Sequence, residues 1–318
     1  MMIIDPRNSV LVQRQRQALR IEHVSVSFPT GRRALDDLSL VVPCGLCGVL
    51  GPDGAGKTTL LRILAAEYPA GHGRIVLREI DQKRHAKRWR SAVSHLPMNL
   101  ALLPAVPVCV AVEHFALVQG FSSTRDRRGH VDAVLDAMEL TAVRGHHVGE
   151  LSLAASRRLA IAVALVGRPL LVLLDEPTAG LAHAERVALL DVMSRVASTT
   201  QVLFTTSDPT DIGDWCATFV AMHRGRLLLD GTPDQLRDAV RGCVWRASIP
   251  SEQLDAVQLL HTVVGIESIG DATSVRVICA HTPGFGFVSV DPCLSDVYHL
   301  YVPPRADGTA QRVPRPTR

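Results

Sequence analysis

The run Gly51-Pro-Asp-Gly-Ala-Gly-Lys-Thr-Thr59 has the residue types and spacing to do chemistry. It fits G-x-x-x-x-G-K-[ST], with Gly51, Gly56, Lys57 and Thr58 at the fixed places and Pro52, Asp53, Ala55 and Thr59 completing the loop. That chemistry is the holding of nucleotide phosphates. Gly54 and Gly56 lack a Cβ, so the backbone can curl and turn its N–H groups inward. Such N–H groups form an anion nest, and a helix starting there adds its positive end. Lys57 is expected to reach the β- and γ-phosphates, and the Thr58 hydroxyl to hold Mg²⁺.

A magnesium nucleotide also needs carboxylates. The apolar run Leu170–Leu174 ends in Asp175-Glu176-Pro177. A run so short and wholly apolar reads as a central parallel strand, and ligands collect at the carboxyl ends of such strands. Asp175 would hold the metal through water, and Glu176 would orient or deprotonate a lytic water. The structural alternative is two acids capping a helix.

The elements that would position these groups are visible as patterns. Val41, Val42, Leu46, Val49 and Leu50 suit a buried strand before the loop, and Leu60–Ala66 a buried helix after it. Alternation from Ile21 to Phe28 predicts a strand ended by Pro29-Thr-Gly31; Ala34–Val42, Gly73–Leu77, Ser94–Met98 (with a turn) and Gln201–Thr206 predict others. Val131, Val134, Leu135 and Met138 predict an amphipathic helix over Val131–Leu140, and Ser152 would cap a helix running to Val166. Phe219–His223 and Leu227–Leu229 read as a hairpin turning at Arg224-Gly225, followed by a helix after Pro233 that carries Leu236 and Val240. Beyond it, strands at Val244–Ile249, Gly265–Ile269 and Val275–Ala280, with helices at Glu252–His261 and Leu294–Tyr301, predict a small α+β domain. The expected division is a lead over 1–20, a nucleotide-binding domain over 21–236 with a helical part about 99–166, the small domain over 237–302, and a disordered Pro- and Arg-rich tail over 303–318.

The 318 residues are 47% apolar with a net charge of +3, too mild to argue for nucleic acid, and 4% aromatic residues leave little for base stacking. No nucleic-acid partner is expected. No apolar stretch reaches the ~20 residues a spanning helix needs, and no signal-peptide pattern opens the chain, so a cytoplasmic location is expected. Cys44-Gly-Leu-Cys47 has redox or metal spacing without a second pair, and buried structural thiols are expected there. The basic run from Lys83 to Arg90 reads as a solvated helix face, the alternative being a surface for a partner's acids or for lipid headgroups.

Taken together, Gly51–Thr59 resembles the Walker A motif of ABC-type ATPases, and Leu170–Leu181, with Asp-Glu-Pro-Thr-Ala-Gly-Leu, resembles their Walker B and the segment after it. Phe28 stands where that family places an aromatic under adenine. The small domain, ending Leu294-Ser-Asp-Val-Tyr298, resembles the C-terminal extension of exporter-type subunits. The resemblance implies a P-loop α/β core with antiparallel and helical subdomains. It also implies ATP and Mg²⁺ as ligands, a head-to-tail pairing with a second ATP-binding subunit, and a polytopic membrane subunit as partner, at the inner face of the cell membrane.

Four family positions depart. The signature Leu-Ser-Gly-Gly-Gln reads Leu151-Ser152-Leu153-Ala154-Ala155; Ser152 could still reach a partner's γ-phosphate, but Leu153 and Ala154 put side chains where backbone should approach. The loop glutamine is Met98, the Asp after Gly-Leu is Ala182, and the His expected at the γ-phosphate is Ser207. Lost charged hydrogen bonds at about 1.5–3 kcal/mol each would slow turnover roughly 10- to 100-fold apiece. The expectation is therefore good ATP binding with weak or asymmetric hydrolysis, in a subunit coupled to export. The alternatives are a soluble ABC-type ATPase and a regulatory pseudo-ATPase closed by ATP alone.

Overall fold

Most helices bury one stripe, but Leu60, Leu61, Ile63 and Leu64 of the helix after the phosphate loop are all fully buried, so this helix needs cover on several sides. Two sheets provide it. The structure, a computed structural model, describes residues 18–301 apart from 29, 30, 32, 99, 270, 271 and 285. Residues 1–17 and the expected tail lie outside the described residues.

The chain divides into two units, one ending at Asp230 and one starting at Gly231. The first runs β1 (Leu19–Ser27), β2 (Arg33–Val42), β3 (Leu46–Leu50), α1 (Lys57–Leu64), β4 (His72–Leu77), β5 (Ile80–Asp81), α2 (Ala86–Ala92), β6 (Val93–Leu96) and α3 (Val108–Val118). It continues through α4 (Thr124–Ala137), α5 (Leu153–Leu165), β7 (Leu171–Leu174), α6 (His183–Val196), β8 (Gln201–Thr206), β9 (Thr218–His223) and β10 (Arg226–Gly231). One sheet has the order β2-β1-β4-β5 and is antiparallel. The other has the order β10-β9-β3-β8-β7-β6, with β9, β3, β8, β7 and β6 parallel. A single core joins Leu19, Ile21, Leu38 and Ile75 of the first sheet, α1, and Val49, Leu171, Leu203 and Val220 of the second. The wholly apolar β3 and β7 are buried at every position, as strands covered on both faces must be.

Several expected boundaries shift for local reasons. The helix read over Val131–Leu140 begins at Thr124, because Ser123 Oγ accepts from the Asp126 N–H at 3.4 Å, and it stops at Ala137. Helix α6 had no expectation, and α3 none of its own beyond the helical part expected over about 99–166. Pro107 sits immediately before α3 and starts that helix rather than breaking the run. The helix after Pro233 ends at Asp238, short of Val240.

The second unit runs α7 (Pro233–Asp238), β11 (Val244–Pro250), α8 (Leu254–Leu260), β12 (Thr262–Ile269), β13 (Ala272–Ile278), β14 (Val288–Ser289) and α9 (Leu294–Tyr301). The whole of α7, Leu236 included, belongs to this unit rather than to the first. Glu252 and Gln253, expected in the helix, form with Ser251 a separate 3₁₀ turn before α8. Its sheet has the order β12-β13-β11-β14 and is antiparallel. Ala247, Ile249 and Val275 pack beneath Leu254 and Val257 of α8. The Arg276 guanidinium grips buried Asp296 through Nε and Nη2, both at 2.8 Å, and the same carboxylate takes the Cys293 N–H at 2.7 Å to start α9.

The thiols split. Cys47 is buried and its burial holds the thiol well above the usual value; adjacent Cys216 is pushed up to about 12 by burial. Both are inert structural groups, whereas Cys44 is only half-buried.

Candidate functional site

The loop from Gly51 to Gly56 leaves β3 and enters α1 by a route that needs glycine. Gly54 and Gly56 have φ of 78° and 103°, and a Cβ on Gly56 would stand 2.6 Å from the Ala34 carbonyl oxygen. A Cβ on Gly51 would stand 2.6 Å from the Met222 carbonyl oxygen. The loop is tied down on both sides: the Gly51 N–H donates to Thr206 O at 3.2 Å, and the Gly225 N–H to Ala55 O at 2.8 Å.

Lys57, the first residue of α1, is buried. Its Nζ donates to Gly51 O at 2.6 Å and lies 3.1 Å from Glu176 Oε1. Thr58 Oγ1 donates to Asp175 Oδ1 at 3.2 Å. The two sequence motifs, more than a hundred residues apart, thus meet in pairs: cation with carboxylate, hydroxyl with carboxylate. Asp175 also accepts from Thr205 Oγ1 at 2.7 Å, and that hydroxyl in turn takes the Glu176 N–H at 2.9 Å. Glu176 is held at φ 48°, a left-handed conformation unusual for a residue with a side chain. Its Oε2 accepts the Ser207 N–H at 3.3 Å.

A cleft of about 360 Å³ opens over this arrangement, lined by Phe28, Ala34, residues 52–59, Met98, Asp175 and Glu176. Every expected nucleotide contact except Gly51 and Ser207 borders it. Gly51 is instead bonded to Thr206 and Lys57, and the Ser207 N–H meets Glu176. Thr58 and Asp175 present hard oxygen donors side by side, the donor set Mg²⁺ takes.

The residues Leu151–Ala154 border no part of this cleft. Ser152 caps α5, its Oγ accepting the Ala155 N–H at 3.2 Å, so the hydroxyl already has a local task. Leu153 is 48% exposed, and its Cδ2 would be 3.4 Å from a Cβ on Gly180. Ala182 precedes α6 and gives its N–H to Glu185 Oε2 at 3.1 Å.

Two groups of residues at the site escaped sequence reading. Arg157 of α5 donates to Met98 O at 2.5 Å and Ala179 O at 3.3 Å, strapping the segments after β6 and β7 to the start of α5. It lines a second cleft of about 290 Å³ that shares Met98 and Asp175 with the first. Below Ser207, buried Asp211 accepts from Thr206 Oγ1 at 2.5 Å and Thr178 Oγ1 at 2.6 Å, with Arg186 Nη1 3.4 Å away. Arg186 also pairs with Asp208. Burial works to raise the Asp208 carboxyl, but hydrogen bonds from Thr210 and Arg186 outweigh it and hold it below the usual carboxylate value. Nothing in the local spacing of these residues marks them, since most of their partners come from distant segments.

Comparisons with known proteins agree with this geometry. The profile of the ABC transporter family matches residues 35–179. The cobalt import ATP-binding protein CbiO of Rhodobacter capsulatus is 32% identical over 238 residues, covering 67% of this chain and 78% of that protein. The daunorubicin resistance ATP-binding protein DrrA2 of Streptomyces coeruleorubidus is 30% identical, covering 79% of this chain and 78% of its own length. A Nod factor export ATP-binding protein I of Sinorhizobium fredii is 29% identical, with 73% and 68% covered. The solved structure of cbiO1 from Clostridium perfringens shares the fold at a TM-score of 0.64 and 23% identity, over 69% of this chain and 89% of that one. With the loop, the paired acids and the two-sheet core all in place, the chain belongs to the ATP-binding proteins of the ABC transporter family, a family of ATP-binding and ATP-hydrolysing cassettes.

Proposed function

We propose that the cleft binds Mg-ATP and that the chain is the ATP-binding subunit of a transporter whose membrane-spanning part is a separate polytopic protein. The observation that carries this reading is the single cleft bordered by residues 52–59 and by both Asp175 and Glu176. The nucleotide's terminal phosphates take Lys57 from Glu176, Thr58 and Asp175 hold the metal, Phe28 lies against the base, and the freed Glu176 orients water. Among the described residues no helix is long and apolar enough to cross a membrane, and in this reading the spanning element at the inner membrane face is the partner's.

Hydrolysis is weak or asymmetric in this reading. Its support is the set Met98, Leu153, Ala154, Ala182 and Ser207, which a partner cassette with an intact signature would complement. A regulatory variant, in which ATP closes the pair without phosphate release, draws on the same substitutions. Export is the proposed direction. It is favoured by relatives named for drug resistance and Nod factor export and by the small C-terminal unit, although the CbiO relative is named for import. The test is ATPase turnover of the purified chain alone and with its partner cassette. Slow turnover alone and faster turnover in the pair is the expected result; brisk turnover by the isolated chain overturns the attenuation.

A further inference from the structure

Charge in the first unit is mostly cancelled in place. Arg74, Arg127, Arg144, Arg158, Arg186 and Arg195 all meet carboxylates. The segment from Lys83 to Ala92 breaks this habit. It contains five Lys and Arg residues, one His, and no Asp or Glu. Arg84, Lys87, Arg88 and Arg90 are exposed, and among the described residues none has an acidic partner. Lys83 reaches only Gly73 O, at 3.4 Å. The carboxylate at the segment's start, Asp81, is already spent: it is buried, paired with Arg74 at 2.8 Å, and accepts the Lys83 and Arg84 N–H groups at 3.1 Å.

This is an ordered surface rather than a loose basic stretch. Trp89 is fully buried and its Nε1 donates to Leu64 O at 2.7 Å, which locks α2 against the end of α1. At about 100° per residue, Lys87, Arg88 and Arg90 fan over roughly 160° of α2 on the side opposite Trp89. The outward face therefore carries long cations and no large apolar group.

That composition selects among partners. Protein interfaces are built on an apolar or aromatic centre and are depleted in Lys, and here the one aromatic side chain faces inward. Single-stranded nucleic acid is held by stacking as well as charge; the segment exposes no Phe, Tyr or Trp ring, and its one exposed ring, His85, has Nδ1 engaged by the Asp81 N–H at 3.1 Å. A surface of many mobile single anions asks only for flexible cations at one level, each adding to the attraction of a charged leaflet. We infer that the exposed face of α2, with Arg84, Lys87, Arg88 and Arg90, docks on the anionic phospholipid headgroups of a membrane. The attachment is peripheral and electrostatic, with nothing inserted, and it stands independently of the nucleotide reading.

The test is flotation of the full chain with phosphatidylcholine vesicles, with and without about one-third phosphatidylglycerol, at about 0.1 M salt. The chain is expected to float with the anionic vesicles only and to be released at about 1 M salt. The variant carrying Arg84→Gln, Lys87→Gln, Arg88→Gln and Arg90→Gln should partition about a thousandfold less. A control carrying Arg144→Gln and Arg195→Gln should bind like the parent. Binding of a fluorescent adenine nucleotide, unchanged in the Gln variant, reports that the fold persists and separates failure here from failure of the ATP reading. Equal binding to neutral vesicles, unchanged binding by the Gln variant, or equal loss in the control overturns the inference. So does capture by acidic polypeptide with no capture by anionic vesicles.

Discussion

The cleft around residues 51–59 and the segments at Met98, Leu151–Ala155, Ala182 and Ser207 occupy the same unit but use their polar groups differently. In the cleft, side chains reach across elements: Lys57 to Glu176, Thr58 to Asp175, Thr205 to Asp175. In the other segments the polar groups have other tasks. Ser152 caps its own helix, the Ala182 N–H goes to Glu185, and the Met98 carbonyl and Ser207 N–H are taken by Arg157 and Glu176. A buried charge or hydroxyl held by distant partners is aimed and can be handed to a ligand. A group consumed by its own helix is structural. The contrast supports keeping ATP binding and efficient hydrolysis apart as questions about this chain.

Four experiments break or sharpen that contrast. The largest effect is expected at Lys57→Ala. Losing two charged hydrogen bonds at about 1.5–3 kcal/mol each should weaken fluorescent adenine-nucleotide binding by about a thousandfold, and an unchanged titration would falsify the cleft assignment. Next is Asp211→Ala. It leaves Arg186 with Asp208 as its one carboxylate and strips Thr178 and Thr206 of their short carboxylate acceptor, so urea unfolding should report a loss of about 3 kcal/mol. A smaller gain is expected from restoring Leu153→Gly, Ala154→Gly and Ser207→His together. Turnover should rise about tenfold if those positions limit hydrolysis, against a helix cost of about 1 kcal/mol for a glycine at Leu153. No change in turnover would assign the slow step elsewhere.

The smallest effect concerns pH. His130 Nε2 donates to Val166 O at 2.7 Å, so the neutral ring carries its proton there. Burial lowers its affinity for a second proton; the Val166 hydrogen bond opposes this, and the charge of Arg168 adds to it, leaving the net value below that of a free imidazole. The unfolded chain then binds more protons, so this stability is present above about pH 6.5 and is lost as pH falls through the folded value. The urea midpoint should drop between neutral and mildly acid pH. His130→Gln should flatten the slope; an equal slope in both proteins removes His130 from the account.

The sequence was most legible where function depends on neighbours in the chain. The loop, the strand ending in Asp175-Glu176, the capping Ser152 and the hairpin at Arg224-Gly225 all announced themselves, because turn chemistry and short apolar runs are local. Helix α3 did not: it is apolar on nearly all sides, so no period separates it from the Pro-containing stretch before it. Helix α6 carries its burial in only a few positions, Leu189, Leu190, Val192 and Met193 among them, and was equally silent.

By itself the sequence determined that a phosphate-binding loop and a pair of acids exist, and that four companion positions are altered, since residue type and spacing are enough for that. Only the tertiary structure decided which groups meet: that Lys57 rests on Glu176, that the Ser207 N–H meets Glu176, that Arg157 straps three segments together, and that Arg84, Lys87, Arg88 and Arg90 have no acidic partner among the described residues. Contacts between residues a hundred positions apart are fixed by how the two sheets pack around α1, and no local pattern carries that information.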